Sequence, residues 1–121
     1  AILLARMACS NKASSPSSVA REFLLAAHSG NRGKALELVA LESAYLVDQF
    51  EYAGSMLKLL EVSVEGETIR GNQAVVHCRL RYKLPYPEQA IEGKTTVYLK
   101  REEGRWRVTD MTPFLPTVPV P

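Results

Sequence analysis

The chain has 121 residues, of which 46% are apolar and 23% are charged, and its formal net charge at pH 7 is +2. These values are typical of one folded domain, and they exclude a chain that is disordered along its whole length. The net charge is too small to indicate nucleic-acid binding by itself, and no apolar run reaches the roughly 18 residues of a membrane-spanning helix. Two cysteines are too few for a disulfide framework or a cysteine-based zinc site.

The first residues predict a processed, lipid-anchored N-terminus. Residues 1–8 read AILLARMA, Cys9 follows, and a polar stretch rich in serine leads to Pro16. An apolar stretch that ends in a small residue before a cysteine resembles the end of a bacterial lipoprotein signal, although Arg6 stands where such signals usually carry leucine. We therefore expect lipidation of Cys9, a signal remnant and tether over residues 1–13, and a place in the bacterial cell envelope, on the periplasmic or extracellular side. The alternative is a vector-derived or loosely ordered tail.

Three helices are predicted after this segment. Ser15 as N-cap and Pro16 at the first helical position begin one helix, and Gly30 ends it in the left-handed conformation. Apolar residues at helical spacing predict a second helix over about residues 31–40 and a third over about residues 42–54. The residues of the second helix expected to face inward are Ala35, Leu36, Val39 and Ala40.

The apolar period then changes from helical spacing to strict alternation, which predicts four strands. Gly71-Asn72 and Glu103-Gly104 are turn signals, and the Pro85-Tyr86-Pro87 sequence interrupts the second strand. Eight residues are expected on the inward face of the sheet, namely Val62, Val64, Val76, Leu80, Val97, Leu99, Trp106 and Val108. Helices followed by a four-stranded antiparallel meander indicate an α+β fold in which the helices pack on one sheet face. This domain is expected to span residues 14–112, with a proline-rich tail over residues 113–121.

The opening segment SPSSVAREFLLAAHSGNRGKALEL, the closing segment VYLKREEGRWRV and the order of the elements resemble nuclear-transport-factor-2-like domains of the cystatin-like superfamily. Within that superfamily the chain is most similar to small bacterial lipoproteins of the domain-of-unknown-function, lumazine-binding-like group. The resemblance covers roughly residues 14–110. It implies a strongly curved sheet wrapped around a long helix, often with a conical pocket and often a homodimer through the sheet. Because the superfamily includes enzymes, ligand binders and dimerisation modules, the resemblance does not decide the function.

Aromatic and amide side chains near one face of the third helix suggest a ligand pocket between helix and sheet. Tyr45, Gln49 and Tyr52 are spaced by four and three residues, which places them close together on a helix. The candidate ligand-binding residues are Tyr45, Gln49, Tyr52, Tyr82 and Trp106, with Phe50 and Met56 beside them. Such a set suits a small apolar ligand, or else an envelope protein as partner, without a cofactor or metal. The alternative is that these residues only form the core.

Acid–base catalysis is the second functional hypothesis. The resemblance implies this hypothesis, because the superfamily includes ketosteroid isomerases and related enzymes. These enzymes use a buried acid or base in an apolar cavity. The candidate groups are Tyr45, Asp48, Asp110, His28 and His77. Neither histidine falls on a predicted inward position, and His28 is explained as a favourable partner of a helix C-terminus. The sequence therefore favours a non-enzymatic module with no catalytic residue, and a purely structural dimerisation domain is the third hypothesis.

A basic strand face could bind phosphate or nucleic acid, or it could be a solvated surface. Its residues are His77, Arg79, Arg81 and Lys83. If the turn takes three residues, Gly71 to Gln73, acidic and basic stripes match across the strands. The matched pairs would be Glu67 with His77, Glu65 with Arg79 and Glu61 with Lys83. This match favours the solvated surface, and we predict no nucleic-acid partner and no membrane contact beyond the lipid anchor.

Cys78 lies in the middle of a strand among apolar residues, which predicts a buried and unreactive thiol. His77 is adjacent but would point to the opposite sheet face, so it cannot activate that thiol. The sequence also lacks the glycine-rich nucleotide-binding motifs, the serine-hydrolase elbow and the zinc-peptidase motif. Two histidines exclude a histidine-rich metal site.

Overall fold

The computed structural model describes residues 15–54, 58–85 and 88–112, with backbone alone for residues 50–54, 85 and 88. The helices are α1 (Pro16–Ser29), α2 (Arg32–Leu38), a 3-10 turn (Leu41–Ser43) and α3 (Tyr45–Gly54). The strands are β1 (Lys58–Arg70), β2 (Gln73–Pro85), β3 (Glu88–Glu102) and β4 (Arg105–Thr112). The predicted lipidation site Cys9, the tether over residues 1–13 and the tail over residues 113–121 lie outside the described residues.

The strands form one antiparallel sheet in the order β1-β2-β3-β4, and the helices pack on one face of it. This arrangement confirms the predicted α+β fold class. Helix α1 packs on the sheet and supplies six residues to the shared core cluster. Its buried residues are Pro16, Val19, Ala20, Phe23, Leu24, Ala26 and Ala27.

The ends of α1 are as predicted, because local side-chain and backbone signals determine them. The Ser15 hydroxyl accepts a hydrogen bond from the Ser18 N–H at 3.1 Å, and Pro16 occupies the first turn. At the other end Gly30 adopts a φ of 80°, and its N–H donates to the Ala26 carbonyl.

The second and third helices differ from the prediction in length. Helix α2 ends at Leu38 because Val39 forms a parallel bridge with Val108, whose carbonyl also accepts from the Ala40 N–H at 2.8 Å. Leu36, predicted to face inward, is 37% exposed, so that part of the prediction is wrong. The third α-helix begins at Tyr45, after the 3-10 turn, and not near residue 42.

The register between β1 and β2 also differs from the prediction. The turn holds two residues, Gly71 and Asn72, and two bulges interrupt β1 at Leu60 and Glu65. His77 therefore faces Gly66, Arg79 faces Ser63 and Lys83 faces Lys58, so the predicted register is wrong. The bulged Glu65 still reaches Arg79 at 2.9 Å and Lys94 at 3.8 Å, which keeps an ion pair on the outer face of the sheet.

Seven of the eight residues predicted to face inward are buried, and Val64, beside the second bulge, is 37% exposed. Cys78 is buried as predicted. Burial, with a smaller contribution from the Glu65 carboxylate, raises the pKa of the Cys78 thiol to about 11. The thiol is therefore protonated at neutral pH, which agrees with the predicted inert character.

Candidate functional site

A groove of about 600 Å³ opens between the C-terminal half of α1 and the first residues of β1. We call it the α1–β1 groove. Its apolar lining residues are Leu25, Ala26 and Leu59. Its polar lining residues are Glu22, His28, Ser29, Asn31, Lys34 and Lys58. An apolar wall with a few polar groups is the usual composition of a small-molecule site.

Two contacts between α1 and β1 position this groove. The Glu67 carboxylate accepts from the Ser17 N–H at 2.9 Å and from the Ser17 hydroxyl at 2.7 Å, which places a negative charge at the N-terminus of α1. One turn further along, Arg21 Nε donates to the Val62 carbonyl at 3.5 Å. Helix α1 therefore runs antiparallel to β1, and its last turns lie beside Lys58 and Leu59.

Tyr82 and His28 meet at this end of the sheet. Tyr82 is 2% exposed, and its hydroxyl oxygen lies 3.4 Å from Nε2 of His28. The two rings are in an edge-to-face arrangement with centroids 5.3 Å apart. In the tautomer that carries the ring proton on Nδ1, the hydroxyl donates to Nε2. Because His28 lines the groove, this pair connects the groove to the core.

Burial keeps both members of the pair neutral. It lowers the pKa of His28 to about 4 and raises the pKa of Tyr82 above its usual value. The prediction that neither histidine faces inward is thus wrong for His28, which is half-buried. A signal for this position exists in the sequence, since His28 follows the buried Leu24 by four residues on the same flank of α1.

The other acid–base candidates lie outside the groove. Asp48 is exposed and pairs with Arg32 at 2.5 Å. Asp110 is exposed and accepts from the Met111 N–H at 2.8 Å. His77 is exposed, and its Nδ1 shares a hydrogen bond of 3.1 Å with the Thr96 hydroxyl. Each of these groups therefore has a structural role at the surface.

Of the five residues predicted to bind a ligand, the four whose side chains the structure describes lie in different places. Tyr45 is 50% exposed and Gln49 is exposed, while the side chain of Tyr52, like those of Phe50 and Met56, lies outside the described part of the chain. Tyr82 and Trp106 are buried in the same core cluster but near opposite ends of the sheet. Their partners on β3, Ile91 and Arg101, are ten residues apart in the sequence, or about 33 Å along the strand.

Comparisons with known proteins identify the fold. No protein-family model and no curated protein matches the sequence. A SEC-C motif containing protein from Rhodopseudomonas palustris is 21% identical, with a TM-score of 0.67 over 80% of this chain and 77% of that one. A putative NTF2-like transpeptidase from Campylobacter jejuni is 16% identical, with a TM-score of 0.60 over 80% of this chain and 99% of that one.

The α+β fold of this chain is similar to that of the NTF2-like protein from Campylobacter jejuni. At these levels of identity the similarity shows the fold alone, and the narrower resemblance to bacterial lipoproteins stays a prediction. Within the described residues no helix is long and apolar enough to cross a membrane. The same part of the chain contains no group of three or more metal-ligating side chains.

Proposed function

We propose that this protein is a non-enzymatic module of the bacterial cell envelope that holds a small apolar ligand in the α1–β1 groove. The observation that carries the proposal is a 600 Å³ groove with an apolar wall, which adjoins the neutral His28–Tyr82 pair. A neutral hydrogen-bonding pair beside apolar side chains can orient a ligand by hydrogen bonding without bringing a net charge to the groove.

The geometry supports binding better than acid–base catalysis. A general acid or base works best when its pKa lies near the working pH. The pKa of His28 is about 4, so its imidazole is a weak base at neutral pH. The carboxylate that lines the groove belongs to Glu22, which is exposed, whereas enzymes of the ketosteroid-isomerase type use a carboxyl group in an apolar, water-poor cavity.

Replacing Leu25 by arginine is expected to reduce binding of a neutral apolar probe at least tenfold. Leu25 is 36% exposed and forms part of the apolar wall, where a guanidinium must give up some hydration when a ligand covers it. We would titrate the full chain with N-phenyl-1-naphthylamine and follow its fluorescence. Leu36→Arg is the matched control, because Leu36 is 37% exposed but lies outside this groove. Equal losses in both variants, or no binding to the unaltered protein, would contradict the groove as the binding site.

The envelope location rests on Cys9 and is tested separately from the groove. We expect the chain, extracted with detergent from a bacterium that makes the whole precursor, to lack residues 1–8 and to carry a lipid on Cys9. Intact mass spectrometry under denaturing conditions measures this directly. Cys9→Ser should lose the lipid, and Cys78→Ser should keep it, since Cys78 is buried. An unmodified chain that retains residues 1–8 is the result that would refute the lipoprotein proposal.

A further inference from the structure

Two lysines line the α1–β1 groove, namely Lys34 of α2 and Lys58 at the start of β1. Neither forms an ion pair within the described residues, whereas Lys94 and Lys100 both do. Both lysines therefore bring positive charge to the end of the groove beside the last turn of α1, where no described carboxylate pairs with them.

The carboxylate that lines the groove lies toward its other end. The Arg21–Val62 hydrogen bond places this turn of α1, and the adjacent Glu22, beside Val62. Lys58 precedes Val62 by four residues, or about 12 Å along β1. Glu22 likewise precedes Ser29 by seven residues, or about 10 Å along α1. The backbone of Lys58 is thus separated from that of Glu22 along both elements that line the groove.

The wall between these two ends is apolar. Leu25 and Ala26 supply it from α1, and Leu59 supplies it from β1. A ligand that fits this pattern has an apolar body and one negative group at its end. Because the cations are compact ammonium groups on flexible stems, they suit a head group of either carboxylate or phosphate type.

We propose that the ligand of the α1–β1 groove is a single-chain amphiphile with an anionic head group, held with its head at Lys34 and Lys58 and its chain along Leu25 and Leu59. This inference rests on the proposed ligand-binding function and adds the chemical class of the ligand. The lysines supply affinity that an uncharged molecule of equal length does not receive.

The test uses two amphiphiles of equal chain length, sodium decanoate below its micelle concentration and the uncharged 1-decanol, with sodium acetate as the head group alone. Calorimetric or NMR titration of the full chain is expected to show decanoate binding about tenfold more tightly than decanol, and acetate binding far more weakly than either. The double variant Lys34→Gln/Lys58→Gln should bring decanoate to the affinity of decanol and leave decanol unchanged. Unchanged decanol binding also shows that the variant is folded.

Two control variants separate the local effect from net charge. Arg81→Gln/Lys94→Gln removes the same charge from the outer sheet face, where both side chains are exposed, and should leave decanoate binding unchanged. Glu22→Gln removes the negative charge that the described residues bring to the groove lining and should not weaken decanoate binding. A loss in the outer-face control equal to that in the groove variant would overturn the inference.

The remaining outcomes distinguish this inference from the proposed function. Equal binding of decanoate and decanol, insensitive to the two lysines, overturns the anionic head group and leaves the groove as a binding site. Failure of both amphiphiles to bind overturns the proposed function itself. The protein could also sediment with phosphatidylglycerol vesicles through the two lysines and yet fail to bind monomeric decanoate. This result would overturn the inference that a single amphiphile binds in the groove, and would indicate contact with a lipid surface instead.

Discussion

Replacing Phe23 by alanine is expected to lower the free energy of unfolding by about 3–5 kcal/mol. Phe23 lies in the middle of α1, has no exposed surface and belongs to the core cluster shared by helix and sheet. Truncation removes its transfer free energy and leaves a cavity that the antiparallel sheet cannot easily close. Urea unfolding should show a lower midpoint with an unchanged slope.

Leu25→Ala is the control for this core substitution. Leu25 lies two residues further along α1 and is 36% exposed on the groove wall, so its truncation should cost no more than about 1 kcal/mol. A comparable loss in both variants would contradict the assignment of Phe23 to a tightly packed core.

The free energy of unfolding is expected to fall by about 2.5 kcal/mol between pH 6.5 and pH 4 because of His28 alone. The pKa of this residue is 6.5 as a free side chain and about 4 in the folded protein, where burial disfavours the charged ring. Above pH 6.5 both states carry a neutral ring, and stability does not change with pH. Below it the unfolded state binds a proton that the folded state does not, so the folded state loses its advantage. Below pH 4 both states are protonated, and the loss is complete.

This pH dependence can be isolated with two variants. Urea midpoints at pH 7.5, 5.5 and 4 should change less for His28→Gln than for the unaltered protein. His77→Gln should follow the unaltered protein, because His77 is exposed on the outer sheet face. If His28→Gln shows the same slope as the unaltered protein, the imidazole is not desolvated in the folded state.

The parts of the fold that the sequence predicts well depend on local signals. The cap at Ser15, the left-handed Gly30 and the alternation along β2 each involve neighbouring residues. The register of β1, in contrast, depends on contacts between residues that are far apart in the sequence. Glu67 binds Ser17, fifty residues earlier, and the bulge at Glu65 shifts the strand by one position. A shift of one residue exchanges the two faces of a strand, so the predicted register was lost, although the bulged Glu65 still pairs with Arg79 as predicted.

The candidate site was harder to predict for a related reason. Helical spacing shows that Tyr45 and Gln49 share a face, but it does not show which face meets the sheet. Helix α3 packs through Leu46 and Val47, and Tyr45 and Gln49 are left exposed. Local sequence signals place His28 at the end of α1. They do not show its contact with Tyr82, which lies on a strand more than fifty residues later.

The interruptions in β1 also bear on self-association. A regular edge of this length that carries the exposed side chains of Leu60, Val64 and Ile69 would be a template for another copy of the chain. The bulges divide the edge into runs over residues 58–59, 61–64 and 66–70, none longer than five residues. A second strand cannot form a regular ladder of backbone hydrogen bonds across these breaks. The two bulges therefore disfavour edge-to-edge pairing through β1, a strand that contains no proline.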